Sequence, residues 1–169
     1  MRKLTMMIAM LAMTMAMQAQ TKFHDVEANE AKGNVKSISM NMMGTARNTE
    51  FTQDGKMQQE GLSDAVYDEN GYIQSAKVTM QGQTVTAKFT WENGRLKSQT
   101  IDAMGQQIVQ TNIYDENGQV KALKMNMMGQ EMETPFSDYK FDEKGNWISR
   151  KASMMGQEME FTRTITYYD

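Results

Sequence analysis

The fold is decided by the stretch YDENGQVKALKMNMMGQEME, which runs from Tyr114 to Glu133. It contains two glycines, Gly118 and Gly129, that lie eleven positions apart. Between them run ten residues without glycine or proline, enough for a β-strand of about eight residues. A strand of this length with a glycine turn at each end predicts a β-hairpin.

The same spacing of glycines recurs along the chain. The pairs are Gly33 and Gly44, Gly71 and Gly82, Gly94 and Gly105, Gly118 and Gly129, and Gly145 and Gly156. Self-similarity at a fixed interval indicates an internal repeat. The stretch between Gly55 and Gly71 departs from the pattern, because Gly61 falls inside it. We interpret this stretch as a shortened or distorted unit.

One class of glycines closes turns rich in Asp and Asn. The turns are YDENG at 67–71, WENG at 91–94, YDENG at 114–118, FDEKG at 141–145 and a looser FTQDG at 51–55. Asn or Asp followed by Gly tolerates the positive φ that tight hairpin turns require. With Asp also at the start of the motif, a type I turn followed by a bulge at Gly fits equally well.

The second glycine of each pair is followed by Gln or Thr, which predicts a type II′ turn with Gly as the first central residue. This turn places the residue two before Gly opposite the residue three after it. The predicted pairs are Met80/Val85, Ala103/Ile108, Met127/Met132, Met154/Met159 and Met42/Arg47. All but the last are apolar on both sides, and each apolar pair contributes roughly 0.2–1 kcal/mol.

Strands and turns therefore alternate from residue 33 to residue 169. The predicted strands are 34–42, 46–52, 64–67, 72–80, 84–91, 95–103, 107–114, 119–127, 132–141, 146–154 and 158–168. The pattern predicts an all-β protein, an antiparallel meander of hairpins that forms one curved, twisted sheet. A partly rolled or closed barrel is the alternative. Open sheet edges also predict self-association.

Methionine is abundant, with 20 residues in the chain. Thioethers bind Cu(I), so the methionine pairs of the hairpins suggest a protein that handles Cu(I) or Ag(I). In other hairpins, however, Val85 and the Ala103/Ile108 pair fill the same position without sulfur. We therefore interpret the methionines as adaptable apolar filling and expect no metal site.

The first nineteen residues have the features of a signal peptide. Arg2 and Lys3 are followed by an uncharged, apolar stretch at 4–17 that is short for a membrane span, and Ala19 is a suitable last residue before cleavage. An uncleaved membrane anchor is the alternative. Residues 20–32 are a polar lead-in, expected to be loose or a short helix, and 33–169 form a single repeat domain. The predicted location is periplasmic or extracellular.

Charge and cysteine content exclude several functions. Without residues 1–19, Lys and Arg number 16 against 21 Asp and Glu, a net charge of −5. This balance disfavours binding to nucleic acid or to anionic lipid. The chain contains no cysteine, so disulfides, thiolate metal sites and thiol catalysis are excluded.

No residue combination predicts catalysis. The single histidine, His24, lies in the lead-in and is expected to be exposed and mobile. Most acids recur at the turns, which is what turn chemistry produces, whereas a catalytic site is normally unique. The DENG turns also lack the ligands of a calcium loop. We expect no catalytic residue, cofactor or metal site.

Aromatic residues stand immediately before the Asx turns. They are Phe51, Tyr67, Trp91, Tyr114 and Phe141, whereas Trp147 follows its turn. On neighbouring hairpins these side chains can form a row on one face of the sheet. We expect this row to be the main hydrophobic stripe; if its face stays open, it can stack against sugar rings or bind a partner.

The two YDENG motifs, at 67–71 and 114–118, resemble the Tyr-Asp core of YD repeats from bacterial RHS-type proteins, and Gly94-Arg95-Leu96 continues the motif as in that family. The resemblance covers most of 33–169. It implies hairpins laid side by side in a continuous sheet, and contact with carbohydrate or cell surfaces, although no ligand residues match. With five or six units, the chain is too short for the shell that long family members build.

These observations lead to one functional expectation. The chain is an exported, non-enzymatic repeat protein with a binding or structural role at the bacterial cell envelope. A glycan or an envelope protein is the expected partner, and no membrane span is expected after removal of the signal. The metal-handling alternative uses the methionine pairs.

Overall fold

The computed structural model describes residues 22–42, 45–80, 82–103, 105–154 and 156–169. Within these ranges the chain forms one short helix, α1, at Asp25–Ala28 and a series of strands. The strands are β1 Val35–Met42, β2 Thr45–Phe51, β3 Met57–Gln58, β4 Leu62–Tyr67, β5 Ile73–Met80, β6 Gln83–Glu92, β7 Arg95–Ala103, β8 Gln106–Tyr114, β9 Val120–Met127, β10 Gln130–Phe141, β11 Trp147–Met154 and β12 Gln157–Tyr167. The predicted strands are confirmed to within about two residues at each end.

The strands form one antiparallel sheet that is nearly closed. Each strand pairs with its neighbour in sequence, except that β3 and β4 do not pair, and β1 also pairs with β12. The sheet is therefore barrel-like, with one open seam between β3 and β4. The predicted meander is confirmed, and the right-handed twist of its strands has curled it until the first and last long strands meet.

The Asx turns follow the predicted chemistry. In the turn at 68–72, the Asp68 carboxylate accepts hydrogen bonds from the N–H groups of Asn70 (3.0 Å) and Tyr72 (2.9 Å). The Gly71 N–H donates to the Asp68 carbonyl, and Gly71 has φ +86°, as in a type I turn followed by a bulge at Gly. The turns at 115–119 and 142–146 repeat these contacts. The Asn93-Gly94 turn instead has positive φ at both residues.

The described glycines of the second class, Gly82, Gly105, Gly129 and Gly156, lie at the opposite end of the sheet, at the tips of the hairpins, but their predicted turn type is wrong. Gly44 lies outside the described residues. Met127 pairs directly with Gln130, so the two central residues are Met128 and Gly129, with φ of +55° and +78°. This is a type I′ turn, in which Gly takes the second central position. Met80/Gln83, Ala103/Gln106, Met154/Gln157 and Met42/Thr45 pair in the same register.

Because the observed turns are type I′ and not type II′, one member of each predicted pair moves by two residues. A shift of two leaves the side chains on the predicted face of each strand. The directly opposed pairs are Val78/Val85, Ile101/Ile108, Met125/Met132, Ala152/Met159 and Met40/Arg47. Again only the first hairpin breaks the apolar rule. Because opposed residues share a face, the side chains of the four apolar pairs line the interior of the curled sheet.

Met128 carries the backbone strain of its turn. A non-glycine residue without a short polar side chain is disfavoured at φ +55° by roughly 1–2 kcal/mol. Met128 is also largely exposed and has little packing to lose. We expect Met128→Asn to raise the free energy of unfolding by about 0.5–1 kcal/mol in urea denaturation. An unchanged or lower stability would contradict the I′ assignment.

Of the two alternatives for the lead-in, the short helix is found as α1, and the loose segment is wrong. Residues 22–32, here called the lead-in segment, pack across the end of the sheet that carries the Asx turns. Val26 and Ala31 are buried in one cluster with Val35, Ile38 and Phe51. The lead-in segment leads directly into β1 at the rim of the curled sheet. Its apolar side chains complete the core at that end.

The irregular unit between Gly55 and Gly71 is confirmed as shortened. Strand β3, which was not predicted, pairs with β2 only through Gln58 to Glu50 and Met57 to Phe51. Residues 59–61 then cross toward β4 without strand pairing. This short unit is the reason that the seam stays open.

Candidate functional site

Most polar groups in the row of aromatic residues form hydrogen bonds within the protein. The Trp91 indole N–H donates to the Ile73 carbonyl (2.8 Å), and the Tyr114 hydroxyl donates to the Leu96 carbonyl (2.7 Å). Tyr139, which was not in the predicted row, donates in the same way to the Val120 carbonyl. Each accepting residue begins or nearly begins a strand after an Asx turn.

The aromatic side chains therefore have a structural role at most positions. Phe51 is buried and Tyr67 bonds Asp25 in the lead-in segment. Phe141 differs, because 47% of its surface is exposed while its ring stacks beside Tyr139 at 5.8 Å. Of the predicted row, Phe141 is the member that offers a large open apolar surface.

Two buried arginines hold the lead-in segment in place. The Arg163 guanidinium donates to the carbonyls of Trp147 (2.6 Å), Asn29 (2.8 Å) and Glu30 (2.7 Å). Arg150 pairs with the Glu30 carboxylate through both terminal nitrogens (2.6 and 3.2 Å). Burial lowers the pKa of Arg163 to about 10, so the side chain remains cationic at neutral pH.

Trp147 lies between these arginines. Its ring centroid is 3.8 Å from the central guanidinium carbon of Arg163 and 4.1 Å from that of Arg150. Desolvated contacts of this kind contribute about 2 kcal/mol or more. The tryptophan is thus fixed in orientation beneath the lead-in segment.

Sequence reasoning missed the arginines, although their position in the strands carries a signal. In β12, Arg163 shares the interior face with Met159, Phe161 and Ile165, which lie at every second position of the strand. In β11, Arg150 precedes Ala152 by two residues and shares its face. An arginine in the apolar phase of a strand is therefore the pattern that indicates a buried cation in this chain.

Asp25 is the second anchor of the lead-in segment. Its carboxylate accepts hydrogen bonds from the Met57 N–H (2.7 Å) and the Tyr67 hydroxyl (2.6 Å), and the side chain is fully buried. Burial raises the pKa of Asp25, and these hydrogen bonds oppose that shift only in part. Burial and the contact with Asp25 also raise the pKa of Tyr67.

The raised pKa of Asp25 makes stability depend on pH. Above its unfolded value near 3.9, the folded state binds a proton more readily than the unfolded state, so the contribution of Asp25 is largest below that pH and declines as pH rises through the folded pKa. We expect the stability of Asp25→Asn relative to the wild type to increase as the pH rises above about 4. Urea unfolding across this range checks it, and a constant difference would contradict it.

Asp142 behaves in the opposite way. Burial alone would raise the pKa of its carboxyl, but hydrogen bonds from the Tyr167 hydroxyl and from the N–H groups of Asn146 and Lys144 lower it. Its contribution to stability is therefore lost only as pH falls below the usual aspartate range. This pH window lies below that of Asp25, so the two effects separate in the same experiment.

A cleft opens between the lead-in segment and the Asx turns. Its volume is about 420 Å³. The aromatic lining residues are Tyr114, Phe141 and Trp147, the amides are Asn117, Gln119 and Asn146, and the charged residues are Glu27, Glu30, Lys32 and Arg95. We call this the Asx cleft. Its roof is fixed, because the Asn146 side chain exchanges two 2.9 Å hydrogen bonds with the Lys32 backbone.

The Asx cleft retains unsatisfied polar atoms. The Trp147 indole N–H and one Glu27 carboxylate oxygen are buried without a hydrogen-bond partner among the described residues. Buried polar groups are normally paired. Within the described ranges, Asp25 Oδ1 and Arg150 Nε are unpaired in the same way, and of the four residues only Glu27 and Trp147 line the cleft. The charged lining contains two acids and two bases, which favours a neutral polar ligand over an ion.

His24 is not in a mobile segment, contrary to expectation. Its ring stacks on Tyr72 with centroids 3.9 Å apart, and its backbone N–H donates to the Gly71 carbonyl. Its Nδ1 lies 3.7 Å from a Glu27 carboxylate oxygen. These contacts fix the position of the lead-in segment against the turn at 68–72.

The methionines of the β9–β10 hairpin meet on the interior face. Met125 is directly opposite Met132, and Met127 opposes Ile108 on the same face. Met127 and Met132 remain 45% and 41% exposed, because the sheet is open at the hairpin tips. Across the described ranges, no group of three or more His, Asp or Glu side chains is arranged to hold a metal ion.

In the part of the chain that the structure describes, no helix has the length and apolar character needed to cross a membrane. No model of a known protein family and no curated protein sequence matches this chain.

Proposed function

We propose that this chain is a non-enzymatic binding protein exported to the bacterial cell envelope, and that the Asx cleft is its ligand site. The observation that carries the proposal is the cleft itself, about 420 Å³ in volume and walled by aromatic and amide side chains. Small-molecule sites are concave and combine apolar walls with a few oriented polar groups. Export is supported by the signal-like residues 1–19.

The non-enzymatic role is supported by how the candidate acids are used. Asp68, Asp115 and Asp142 each hold a turn through hydrogen bonds to backbone N–H groups. Asp25 and Glu30 hold the lead-in segment. Carboxylates that accept hydrogen bonds from these groups stabilise the fold, which favours a structural role for them over acid–base chemistry.

The ligand that fits best is a neutral glycan. The exposed face of Phe141 suits the apolar face of a sugar ring, and the amides of Asn117 and Gln119 suit its hydroxyl groups. A glycan also agrees with the resemblance of the YDENG turns to YD repeats, a resemblance that the hairpin architecture supports at the level of fold only. We therefore place the partner among the carbohydrates of the envelope.

Nuclear magnetic resonance of the two tryptophans tests the proposal. The Trp147 indole lines the Asx cleft, whereas the Trp91 indole N–H is bonded to the Ile73 carbonyl and serves as an internal control. We expect titration with a panel of neutral mono- and disaccharides to shift the Trp147 indole resonance for at least one sugar and to leave Trp91 unchanged. A panel that moves neither resonance contradicts a glycan site.

A matched pair of variants locates the binding. Phe141→Ala removes the open aromatic surface and should weaken sugar binding about threefold to tenfold. Val66→Ala is the control, because Val66 is similarly exposed but lies on β4, outside the cleft lining. Equal affinities for both variants would place the ligand elsewhere.

Handling of Cu(I) or Ag(I) is the second candidate, favoured by the Met125/Met132 pair and the exposure of Met127 and Met132. Soft thioether sulfurs suit these ions. Titration with Ag(I) distinguishes the candidates. A metal site predicts saturable binding at micromolar metal that is lost in Met132→Leu, whereas packing methionines predict none.

A further inference from the structure

The seam leaves part of a strand edge without a partner. Strand β2 pairs along its length with β1, but on its other side β3 covers only Glu50 and Phe51. Within the described part of the chain, residues 45–49 therefore have no strand beside them on that side. At about 3.4 Å per residue this free edge is roughly 17 Å long, enough for an added strand of about five residues.

A groove runs along this free edge. Its volume is about 560 Å³, and its walls are Asn48, Glu50, Met57, Gln58, Gln59, Glu60 and Leu62. The far wall is the stretch that connects β3 to β4. The β4 edge is less suited to pairing, because Asp64 has φ +50° and interrupts the strand with a bulge. The acceptor edge is thus β2.

The charged residues that line the groove are all acidic. Glu50 and Glu60 line it, and no Lys or Arg side chain is part of its lining. Among the described residues neither glutamate forms an ion pair, whereas nearby Asp64 is paired with Lys77 at 2.8 Å. Unpaired carboxylates beside an open strand edge favour an extended segment that carries positive charge.

We propose that the seam binds an extended, lysine- or arginine-bearing segment of a partner protein, which adds to β2 as a further strand. Main-chain hydrogen bonds to residues 45–49 provide the affinity, and Glu50 and Glu60 select the charge. A second copy of this chain is a poorer occupant, because edge-to-edge pairing of two β2 strands brings the two glutamate pairs close together. The seam is separate from the Asx cleft, so this inference stands independently of the glycan proposal.

Three probe peptides test the proposal. The first is acetyl-KVKVKV-amide, the second replaces each lysine with glutamate, and the third is the lysine peptide with alternate backbone nitrogens methylated. We expect the lysine peptide to bind about tenfold or more tightly than the other two, since one lacks the charge and the other cannot complete the ladder. It should also shift the backbone amide resonances of residues 45–49.

Charge-removing variants complete the test. Glu50→Gln combined with Glu60→Gln should weaken binding of the lysine peptide about tenfold, whereas Glu69→Gln, at an exposed turn on another part of the sheet, should not change it. Equal binding of the methylated peptide, or shifts that avoid residues 45–49, would overturn the proposal. Concentration-dependent dimerisation that competes with the peptide would instead identify a second copy as the occupant and overturn it as well.

Discussion

Arg163→Met is expected to destabilise the protein by about 3–5 kcal/mol. Methionine has a similar length but cannot donate hydrogen bonds, so the carbonyls of Asn29, Glu30 and Trp147 lose their partner. These groups remain buried, and each unsatisfied carbonyl costs about 1–3 kcal/mol. Urea denaturation followed by tryptophan fluorescence measures the change. Hydrogen exchange should also show that protection in the lead-in segment falls first.

Arg47→Met provides the matched control. Arg47 is on β2, opposite Met40, and its side chain is exposed. The same substitution there should change stability by less than about 0.5 kcal/mol. If Arg163→Met costs as little as Arg47→Met, the buried arginine does not anchor the lead-in segment.

Gly71→Ala is expected to displace the start of the lead-in segment and to cost about 2–5 kcal/mol. Gly71 has φ +86°, which disfavours alanine, and a Cβ at this position would overlap the backbone carbonyl oxygen of Lys22. Relief of the overlap requires the backbone of Lys22 and Phe23 to move. That movement breaks the hydrogen bond from the His24 N–H to the Gly71 carbonyl, which is 3.1 Å long.

The variant Gly82→Ala separates the cost of positive φ from the cost of the overlap with Lys22. Gly82 has a similar φ of +77°, but a Cβ there would meet no atom within 4 Å. It should therefore cost only the backbone term of roughly 1–2 kcal/mol. The excess cost of Gly71→Ala, measured in parallel by thermal or urea unfolding, reports the contact with Lys22. Equal costs for the two variants would contradict that contact.

The parts of the fold that depend on local chemistry could be predicted from sequence. Asp68 and Gly71 specify a turn through their own backbone and side-chain preferences, and the repeats place the strands between such turns. The tip register was missed because Gly followed by Gln suggests type II′, whereas the structure uses the residue before Gly, as at Met128. A Met in the left-handed region is uncommon enough that sequence favours the wrong choice.

The non-local parts could not be predicted. The pairing of β1 with β12 depends on the summed twist of many strands, a property that no single segment encodes. The packing of residues 22–32 depends on that closure, because the arginines that bind the segment come from β11 and β12. A polar sequence such as QTKFHDVEANEAK gives no local sign that Asp25 and Val26 are buried.

At the candidate site, too, the local features could be predicted from sequence and the non-local contacts could not. Sequence reasoning identified the aromatic residues before the Asx turns and expected a structural role for them, but it did not predict the hydrogen bonds that Trp91 and Tyr114 donate to the paired strand of the same hairpin. Phe141 retains its open surface because the cleft lies between its turn and the lead-in segment. The cleft exists only if the sheet closes and brings these parts together.

An engineered disulfide tests closure most directly, because the chain has no native cysteine. Ser39 on β1 is directly opposite Thr164 on β12, and opposed residues in an antiparallel pair lie within the 4.4–6.8 Å between Cα atoms that a disulfide requires. We expect Ser39→Cys with Thr164→Cys to form an intramolecular disulfide under mild oxidation, whereas Ser39→Cys with Ser98→Cys on β7 should not. A Ser39/Thr164 variant that stays reduced, or links only between molecules, would contradict the closed sheet.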